Sequence, residues 1–346
     1  MIRLLKNIKK TNLYYFLLKF LFIPLYTFFW EYILNIKSKI LGFIFNLNTY
    51  NEEFISLENN SKKLIKNNNE FLNISKLISQ NLTEDLIQKK ITYIKSEEYK
   101  KKLMLNNQAM AINPFVYNLF NDLNETVKKK IIEFATSNYM VKTANNYLGV
   151  YPLLARIYVN LNIPTNSEAR SSQLWHRDDF GYKNLDLFLK INSIDENNGP
   201  LFVLKKKDPV NIFYRVKNEI NSNLKGERGK ILDEDFNYLN SDDDGIIKLI
   251  GEQGTGLLID SIRNYHKGGH CKLDYRITLR INYMTSDSTF PIEKMYKERE
   301  YWFNLLDNSK KNFFVKKLFK KRSFLMKILN IPSLLFKFYH MVSIKN

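Results

Sequence analysis

Residues 185–204 read LDLFLKINSIDENNGPLFVL, and this stretch decides the fold class. It contains two β-rich runs, residues 185–191 and 201–204, on either side of the turn sequence Asn-Asn-Gly-Pro at 197–200. Short runs of branched and aromatic residues bounded by Asn, Gly and Pro are typical of strands. The stretch therefore predicts two strands joined by a turn.

Further runs of the same kind lie on both sides of this stretch. They are residues 153–161, 256–259 and 277–284, each bounded by turn residues. Several short strands with one insertion are typical of an antiparallel barrel or jelly roll. We expect the insertion at Asp208 to Glu252, as a helix-like segment followed by an acidic turn at 242–244.

Composition and length narrow the class further. The chain has 346 residues, of which 45% are hydrophobic and 14% aromatic, so intrinsic disorder is excluded. A single cysteine, Cys271, excludes a disulfide framework and is consistent with a reducing compartment. Residues 51–140 alternate short apolar periodic stretches with Asn and Lys, which predicts a mainly helical region before the strands.

The basic residues are concentrated at the two ends of the chain. The net charge is +18; residues 1–50 contain seven Lys or Arg and one acid, and residues 308–346 contain ten and no acid. The ends therefore carry +16 of the +18. Such an excess indicates an anionic partner. An anionic membrane surface is favoured over nucleic acid, because no nucleic-acid-binding motif accompanies the charge.

The N-terminal segment, residues 1–50, combines early basic residues with a long apolar and aromatic stretch. A spanning helix needs about 20 mostly apolar residues, and the stretch 11–30 contains both Lys19 and Pro24. A Lys at the centre of a span costs roughly 2.5 to 3.5 kcal/mol. We expect a segment that lies in the membrane interface. A true span and packing against the protein's own core are the alternatives.

The C-terminal segment, residues 291–346, contains a predicted basic amphipathic helix from Phe314 to Asn330. One side of this helix carries Phe, Val, Leu and Met, and the opposite side carries four Lys. Such a helix suits an anionic membrane surface, and we expect a peripheral protein on the cytoplasmic face. The alternative is a helix that covers the strand-rich domain with its Lys side chains in solvent.

The four histidines of the chain include His176, which lies two residues before Asp178 in the sequence Trp-His-Arg-Asp. Side chains two apart on an extended strand project from the same face, so this pair is able to bind one ion. The motif alone is weak, because a His-x-Asp triplet arises readily by chance. It needs further residues of the right kind elsewhere in the chain.

Those residues follow the later strands. The run 254–260 leads to His266, and Arg276 precedes the last run. Two His and one carboxylate form a facial triad that leaves positions on iron(II) open for a co-substrate and dioxygen. A fixed guanidinium binds the distal carboxylate of 2-oxoglutarate through two parallel hydrogen bonds.

These stretches resemble the phytanoyl-CoA dioxygenase family of iron(II)- and 2-oxoglutarate-dependent oxygenases. The resemblance is carried by SQLWHRD at 172–178, LDLFLKINSIDENNGPLFVL at 185–204, and GTGLLIDSIRNYHKGG with YRITLRINY within 254–283. It implies an α+β chain with a mainly β core, in which residues 141–290 form a cupin-like double-stranded β-helix. It also implies that His176, Asp178 and His266 bind the iron and that Arg276 anchors 2-oxoglutarate.

The chain departs from the family at one place. The family often follows the Asn-Gly-Pro strand with a Pro-Gly-Ser-His turn, whereas here Leu204 is followed by three lysines and Asp208. This departure concerns the substrate entrance.

Alternatives remain for several of these residues. His270 competes with His266 as the third ligand, and Arg280 competes with Arg276 as the 2-oxoglutarate anchor, the second Arg being suited to an anionic substrate group. In both pairs the family spacing favours the earlier residue. Four further residues are expected to lie outside the metal site. Gln173 and Trp175 are expected to line the pocket or to lie in the core, and Asp179 and Asp260 are not expected to bind the ion.

The sequence thus predicts a dioxygenase that hydroxylates an unactivated C–H bond, with iron(II), 2-oxoglutarate, dioxygen and, as an added reductant, ascorbate. Hydroxylation is favoured over halogenation because Asp178 occupies the position that a halide would need. The substrate is a small molecule, a lipid or a lipid-linked molecule. The alternatives are a non-catalytic membrane-surface binding protein with a jelly-roll fold and a metal-dependent isomerase that works without oxygen.

Overall fold

The structure is a computed structural model of the whole chain, and it describes residues 55–57, 61–99, 101, 115–178, 183–204, 233, 246–285 and 295–319. The predictions for the N-terminal segment, for residues 320–346, for Asp179 and for most of the insertion lie outside the described residues. Within these ranges, no helix is both long and apolar enough to cross a bilayer.

The described ranges include nine strands and six α-helices. The strands are β1 (Lys62–Ile65), β2 (Val116–Asn118), β3 (Leu153–Asn162), β4 (Asn184–Lys190), β5 (Leu201–Leu204), β6 (Ile246–Lys248), β7 (Gly256–Ile259), β8 (His266–Gly268) and β9 (Arg276–Met284). The helices are α1 (Asn69–Asn81), α2 (Glu84–Lys95), α3 (Glu125–Ala135), α4 (Asn138–Leu148), α5 (Tyr296–Leu305) and α6 (Phe313–Leu318).

The strands form two antiparallel sheets. The large sheet has the order β1-β7-β4-β9-β3-β2, and the small sheet has the order β6-β5-β8. An isolated bridge between His176 and His266 adds one more pairing next to β8. Strands that alternate between two sheets in this way are those of a jelly roll. The predicted α+β class with a double-stranded β-helix is therefore confirmed.

The two faces of the large sheet differ in character because side chains alternate along each strand. On β9, residues 277, 279, 281 and 283 are apolar and belong to the main core together with α1, α3 and α4. The helices are amphipathic, and side-chain N-caps at Asn68, Thr83, Asn124 and Ser137 fix the starts of α1 to α4. The intervening positions of β9 face the small sheet and include Arg276 and Arg280.

The region 51–140, predicted to be mainly helical, also contributes both edge strands of the large sheet. β1 pairs with β7, and β2 pairs with β3. Both strands are short, and the sequence of β1, KKLI, begins with two lysines, so the periodicity of an apolar run is missing. Short, Lys-containing strands are a common way to end a sheet without exposing it to another edge.

The insertion is narrower than the predicted 208–252. Residues 246–248 form β6, which pairs with β5, and Gly251 forms an isolated bridge with Ile194. β6 is only three residues long, so no strand pattern marked it in the sequence.

The described start of the C-terminal amphipathic helix packs against the protein itself. Val315, Leu318 and Phe319 are buried in the main core. The buried Arg299 on α5 donates hydrogen bonds to the carbonyl oxygens of Leu154 and Leu318, each at 2.8 Å. These apolar residues therefore cover the sheet, in agreement with the alternative prediction for this helix, in which it packs on the strand-rich domain.

Lys190, at the end of β4, provides a test of this core. Its side chain is fully buried, and its Nζ has no hydrogen-bond partner among the described residues. Burial lowers its pKa to about 8. Below that pH the charged ammonium destabilises the native state, and this penalty fades as the pH rises from 8 toward the unfolded value of about 10.5.

We expect Lys190→Met to increase the free energy of unfolding at pH 7 by about 1 to 3 kcal/mol, with a smaller gain at pH 9.5. Urea titrations at the two pH values measure this. The exposed Lys63→Met serves as the control and should change little at either pH. A loss of stability for Lys190→Met at pH 7 would contradict this account of the buried amine.

Candidate metal centre

His176 and His266 lie directly opposite each other on adjacent backbone segments. The N–H of His176 donates to the carbonyl of His266 at 3.0 Å, and the N–H of His266 donates to the carbonyl of His176 at 2.9 Å. Residues paired in this way project their side chains to the same side. The two imidazole centroids are accordingly 4.3 Å apart.

Backbone carbonyls fix the tautomer of both imidazoles. Nδ1 of His176 lies 2.8 Å from the carbonyl oxygen of Leu174, and Nδ1 of His266 lies 3.0 Å from that of Asn264. Because a carbonyl oxygen only accepts, each Nδ1 carries the hydrogen, and each Nε2 presents a lone pair. Burial also lowers the pKa of His266, which favours its neutral form.

Asp178 completes the cluster with a carboxylate. Ligand atoms of His176, Asp178 and His266 all lie within 4.8 Å of one another. Burial alone would raise the pKa of Asp178, but the nearby positive charges, of which Arg280 contributes most, together outweigh burial and hold this pKa well below its ordinary value. The third ligand is therefore an anion.

The donor set fits a divalent first-row metal ion. Two neutral imidazole nitrogens and one carboxylate oxygen on one side of an ion leave the remaining coordination positions open, which is the pattern of non-haem iron(II) sites. His176 and His266 are buried, and Asp178 is partly buried. The structure thus brings together the three residues that the sequence predicted as metal ligands.

Arg276 lies on β9 with its guanidinium beside Gly268, two residues after His266. Its side chain is buried, and its Nη1 has no hydrogen-bond partner within the described part of the chain. A Cβ added to Gly268 would lie 3.2 Å from Nη2 of Arg276. Gly268, two residues after His266, therefore leaves the room that this guanidinium occupies. A buried cation with an unsatisfied donor is suited to bind a carboxylate.

Arg280 has a different environment, which separates the two arginines that the sequence left in competition. Its Nε donates to Asp186 at 2.7 Å, and its Nη2 donates to Asp178 at 2.8 Å. Two carboxylates thus already match its charge. The predicted alternative, in which Arg280 anchors 2-oxoglutarate or binds an anionic substrate group, does not agree with this arrangement.

The other candidates lie away from the cluster. Nε2 of His270 is 2.6 Å from the carbonyl oxygen of Thr165, so this histidine is engaged in a loop. Trp175 is buried in a small apolar cluster with Leu204 and Tyr265, in agreement with a core role. Asp260 accepts a hydrogen bond from the Tyr147 hydroxyl at 2.7 Å.

Two residues of the site, Asp186 and Ser261, were not among the sequence predictions. Ser261 contacts Asp178, and Asp186 contacts Arg280. Asp186 stands on β4 within the apolar run LDLFLK, and it is fully buried. A carboxylate at an inward position of an apolar strand is the signal that would have found it. Ser261 lies two residues after β7, where no sequence pattern distinguishes it from a turn residue.

Comparisons with known proteins give distant structural matches. No family model matches the chain, and no curated protein matches it in sequence. Among solved structures, the chain is similar to EctD from S. alaskensis with 2-oxoglutarate and 5-hydroxyectoine, at 13% identity and a TM-score of 0.40, covering 69% of this chain and 79% of that chain.

A second match is the epimerase SnoN in complex with Fe3+, alpha ketoglutarate and nogalamycin RO. Its identity is 10% and its TM-score 0.34, with 73% of this chain and 85% of that chain covered. A third is EvdO2 from Micromonospora carbonacea var. aurantiaca with 2-oxoglutarate, at 14% identity, a TM-score of 0.29, and coverage of 46% and 64%. With TM-scores this low, the side chains of the cluster carry the functional conclusion.

We expect the chain to bind one Fe(II) ion. His176→Ala or His266→Ala should each weaken Fe(II) binding by more than about 100-fold, because loss of a ligand exceeds the 10- to 100-fold effect of an outer partner. Anaerobic isothermal titration measures both. His270→Ala is the matched control and should bind Fe(II) like the wild type. Strong binding by His266→Ala together with loss in His270→Ala would contradict this ligand set.

Proposed function

We propose that the protein is an iron(II)- and 2-oxoglutarate-dependent dioxygenase of the phytanoyl-CoA dioxygenase type that hydroxylates an unactivated C–H bond. The observation that carries this proposal is the position of Arg276. A buried guanidinium with an unsatisfied donor lies beside Gly268, two residues after His266 of a two-histidine, one-carboxylate cluster. Oxidation of a substrate by dioxygen at iron(II), with a keto acid as co-substrate, requires both parts in one site.

The three ligands would hold iron(II), which with 2-oxoglutarate and dioxygen supplies the oxidising chemistry for C–H hydroxylation. His176 and His266 would bind through Nε2, since their Nδ1 atoms donate to backbone carbonyls. Asp178 would bind as an anion and occupy the position that a halide would need. Hydroxylation is therefore proposed rather than halogenation.

Arg276 would hold the distal carboxylate of 2-oxoglutarate. A charge-assisted, two-pronged contact is stronger than a neutral hydrogen bond, and burial in a low-dielectric site strengthens it further. Two features of the chain support this role: the unsatisfied Nη1 and the space that Gly268 leaves beside Nη2. The keto acid would then extend from Arg276 toward the two histidines.

The basic ends of the chain support a further proposal, that the protein binds an anionic membrane surface and acts on a lipid or membrane-associated substrate. Most of the net charge of +18 lies in residues 1–50 and 308–346. Each Lys close to anionic headgroups adds about 1 kcal/mol of attraction. Because the core includes residues up to Phe319, the residues proposed for membrane contact at this end are those beyond it.

Turnover tests the enzymatic proposal. The purified chain with Fe(II), ascorbate and dioxygen should convert 2-oxoglutarate slowly to succinate even without substrate. Arg276→Gln should raise the KM for 2-oxoglutarate by about 10- to 100-fold, because a hydrogen bond to a charged group contributes about 1.5 to 3 kcal/mol. The control Lys272→Gln, an equal loss of charge at an exposed position nearby, should leave this KM unchanged.

Two results would refute the oxygenase proposal. Fe(II) bound at the cluster without any succinate formation would favour the non-catalytic binding protein. Conversion of a substrate under anaerobic conditions, without consumption of 2-oxoglutarate, would favour the metal-dependent isomerase.

Membrane binding is tested by flotation of the full chain with vesicles of phosphatidylcholine and 30% phosphatidylserine. We expect co-flotation, and its loss when Lys320, Lys321, Arg322 and Lys327 are all replaced by Gln. The matched control removes the same charge from the exposed positions Lys63, Lys76, Lys95 and Lys272 and should float like the wild type. Equal recovery of all three proteins in the aqueous fraction would refute the surface-binding proposal.

A further inference from the structure

The side chain of Asp178, a member of the metal cluster, forms a closed ring of hydrogen-bond contacts with three other side chains, those of Arg280, Asp186 and Ser261. Arg280 bridges Asp178 and Asp186, with distances of 2.8 and 2.7 Å. The Ser261 hydroxyl lies between the same two carboxylates on the other side, 2.8 Å from Oδ2 of Asp178 and 2.7 Å from Oδ2 of Asp186, and these two acceptors share its single proton. The ring joins β4, β9 and the turn after β7 to one metal ligand.

Asn184 supports the ring from the start of β4. Its fully buried side-chain amide donates to the Ser261 hydroxyl at 2.7 Å and to Oδ2 of Asp186 at 3.1 Å. A hydroxyl carries one hydrogen, so once it accepts from Asn184 its only proton is left for the two carboxylates. Ser261 is thereby oriented toward Asp178 and Asp186.

The ring determines which oxygen of Asp178 is left for a metal ion. Both ring contacts to Asp178 are made by Oδ2. The backbone N–H of Asp178 also donates to the carbonyl of Ser261 at 2.9 Å, which fixes the main chain at this residue. Among the described residues, the side-chain contacts of the Asp178 carboxylate thus go to Oδ2 and leave Oδ1 for an ion, so the carboxylate is arranged to bind through one oxygen.

The charges in the ring also have a consequence for the metal ligand. A lone guanidinium on Asp178 would compete with an ion for the negative charge of that carboxylate. Asp186 is fully buried and lies 2.7 Å from the same guanidinium. Arg280 and Asp186 together are therefore close to neutral, which limits how far Arg280 offsets the charge of Asp178 while it orients that carboxylate. The buried Arg156 is a further cation that interacts with both carboxylates.

We propose that Arg280, Asp186 and Ser261 are positioning residues that hold Asp178 as a one-oxygen ligand and preserve its negative charge for the metal ion. This inference rests on the proposed metal centre. Each residue has a separate part: Arg280 and Ser261 orient Oδ2, and Asp186 balances Arg280. None of the three would contact the ion itself.

The three parts predict different effects of substitution. Asp186→Asn keeps the shape of the side chain but leaves Arg280 unbalanced, so the affinity for a divalent ion should fall by about 10- to 100-fold. Ser261→Ala removes one of two contacts to Oδ2 and should have a smaller effect in the same direction. Ser261→Thr keeps the hydroxyl and should restore wild-type behaviour.

Cobalt(II) titration of the full chain tests the proposal without relying on activity. Binding is followed by the visible absorption bands of the cobalt(II) ion, which report both its affinity and its coordination geometry. We expect lower affinity and altered bands for Asp186→Asn, smaller changes for Ser261→Ala, and wild-type values for Ser261→Thr. Asp122→Asn is the control, since it removes a carboxylate from an ion pair with Lys90 away from the cluster.

Circular dichroism and thermal unfolding show which variants fold. If Asp186→Asn does not fold, the comparison of Ser261→Ala with Ser261→Thr decides the proposal by the same bands. Wild-type binding with unchanged affinity and bands in both Ser261→Ala and any folded Asp186→Asn protein would overturn the positioning role alone. Absence of cobalt(II) binding by the wild type would overturn the metal centre and this inference with it.

Discussion

The alternation of side chains along β9 is the constraint on which the rest of the structure depends. Its apolar residues, Ile277, Leu279, Ile281 and Tyr283, pack in the main core with the helices. The residues between them place two guanidiniums inside the jelly roll. A shift of one residue in the pairing with β3 or β4 would exchange these faces. The burial of four large apolar side chains therefore also fixes the positions of Arg276 and Arg280.

The site follows from this register. Arg280 stands beside Tyr158 of β3 and Phe188 of β4 in the pairing, within reach of the carboxylates of Asp178 and Asp186. Arg276, four residues earlier, lies beside Gly268, which is two residues after His266 on β8. The same strand thus supplies one cation that is neutralised inside the protein and one that retains an unsatisfied donor.

The central strands could be predicted from the sequence because β-rich runs have local signatures, and the three metal-ligand candidates could be predicted because three separate stretches together resemble a known family. Three features had no such signature. β1 and β6 are only four and three residues long, and pairing with neighbouring strands defines them. The different environments of Arg276 and Arg280 depend on Asp186, which is distant in sequence from both. The sequence pattern at the start of the C-terminal helix predicts a membrane-surface helix, whereas residues 315, 318 and 319 pack against apolar residues of the core.

A crystal structure of the full chain grown anaerobically with Mn(II) and 2-oxoglutarate would test the central claim most directly. The account predicts the ion on Nε2 of His176, Nε2 of His266 and one oxygen of Asp178, with the distal carboxylate of 2-oxoglutarate on Arg276. The other oxygen of Asp178 should still contact Arg280 and Ser261. An ion bound elsewhere, or the distal carboxylate on Arg280 with the Asp186 contact broken, would contradict it.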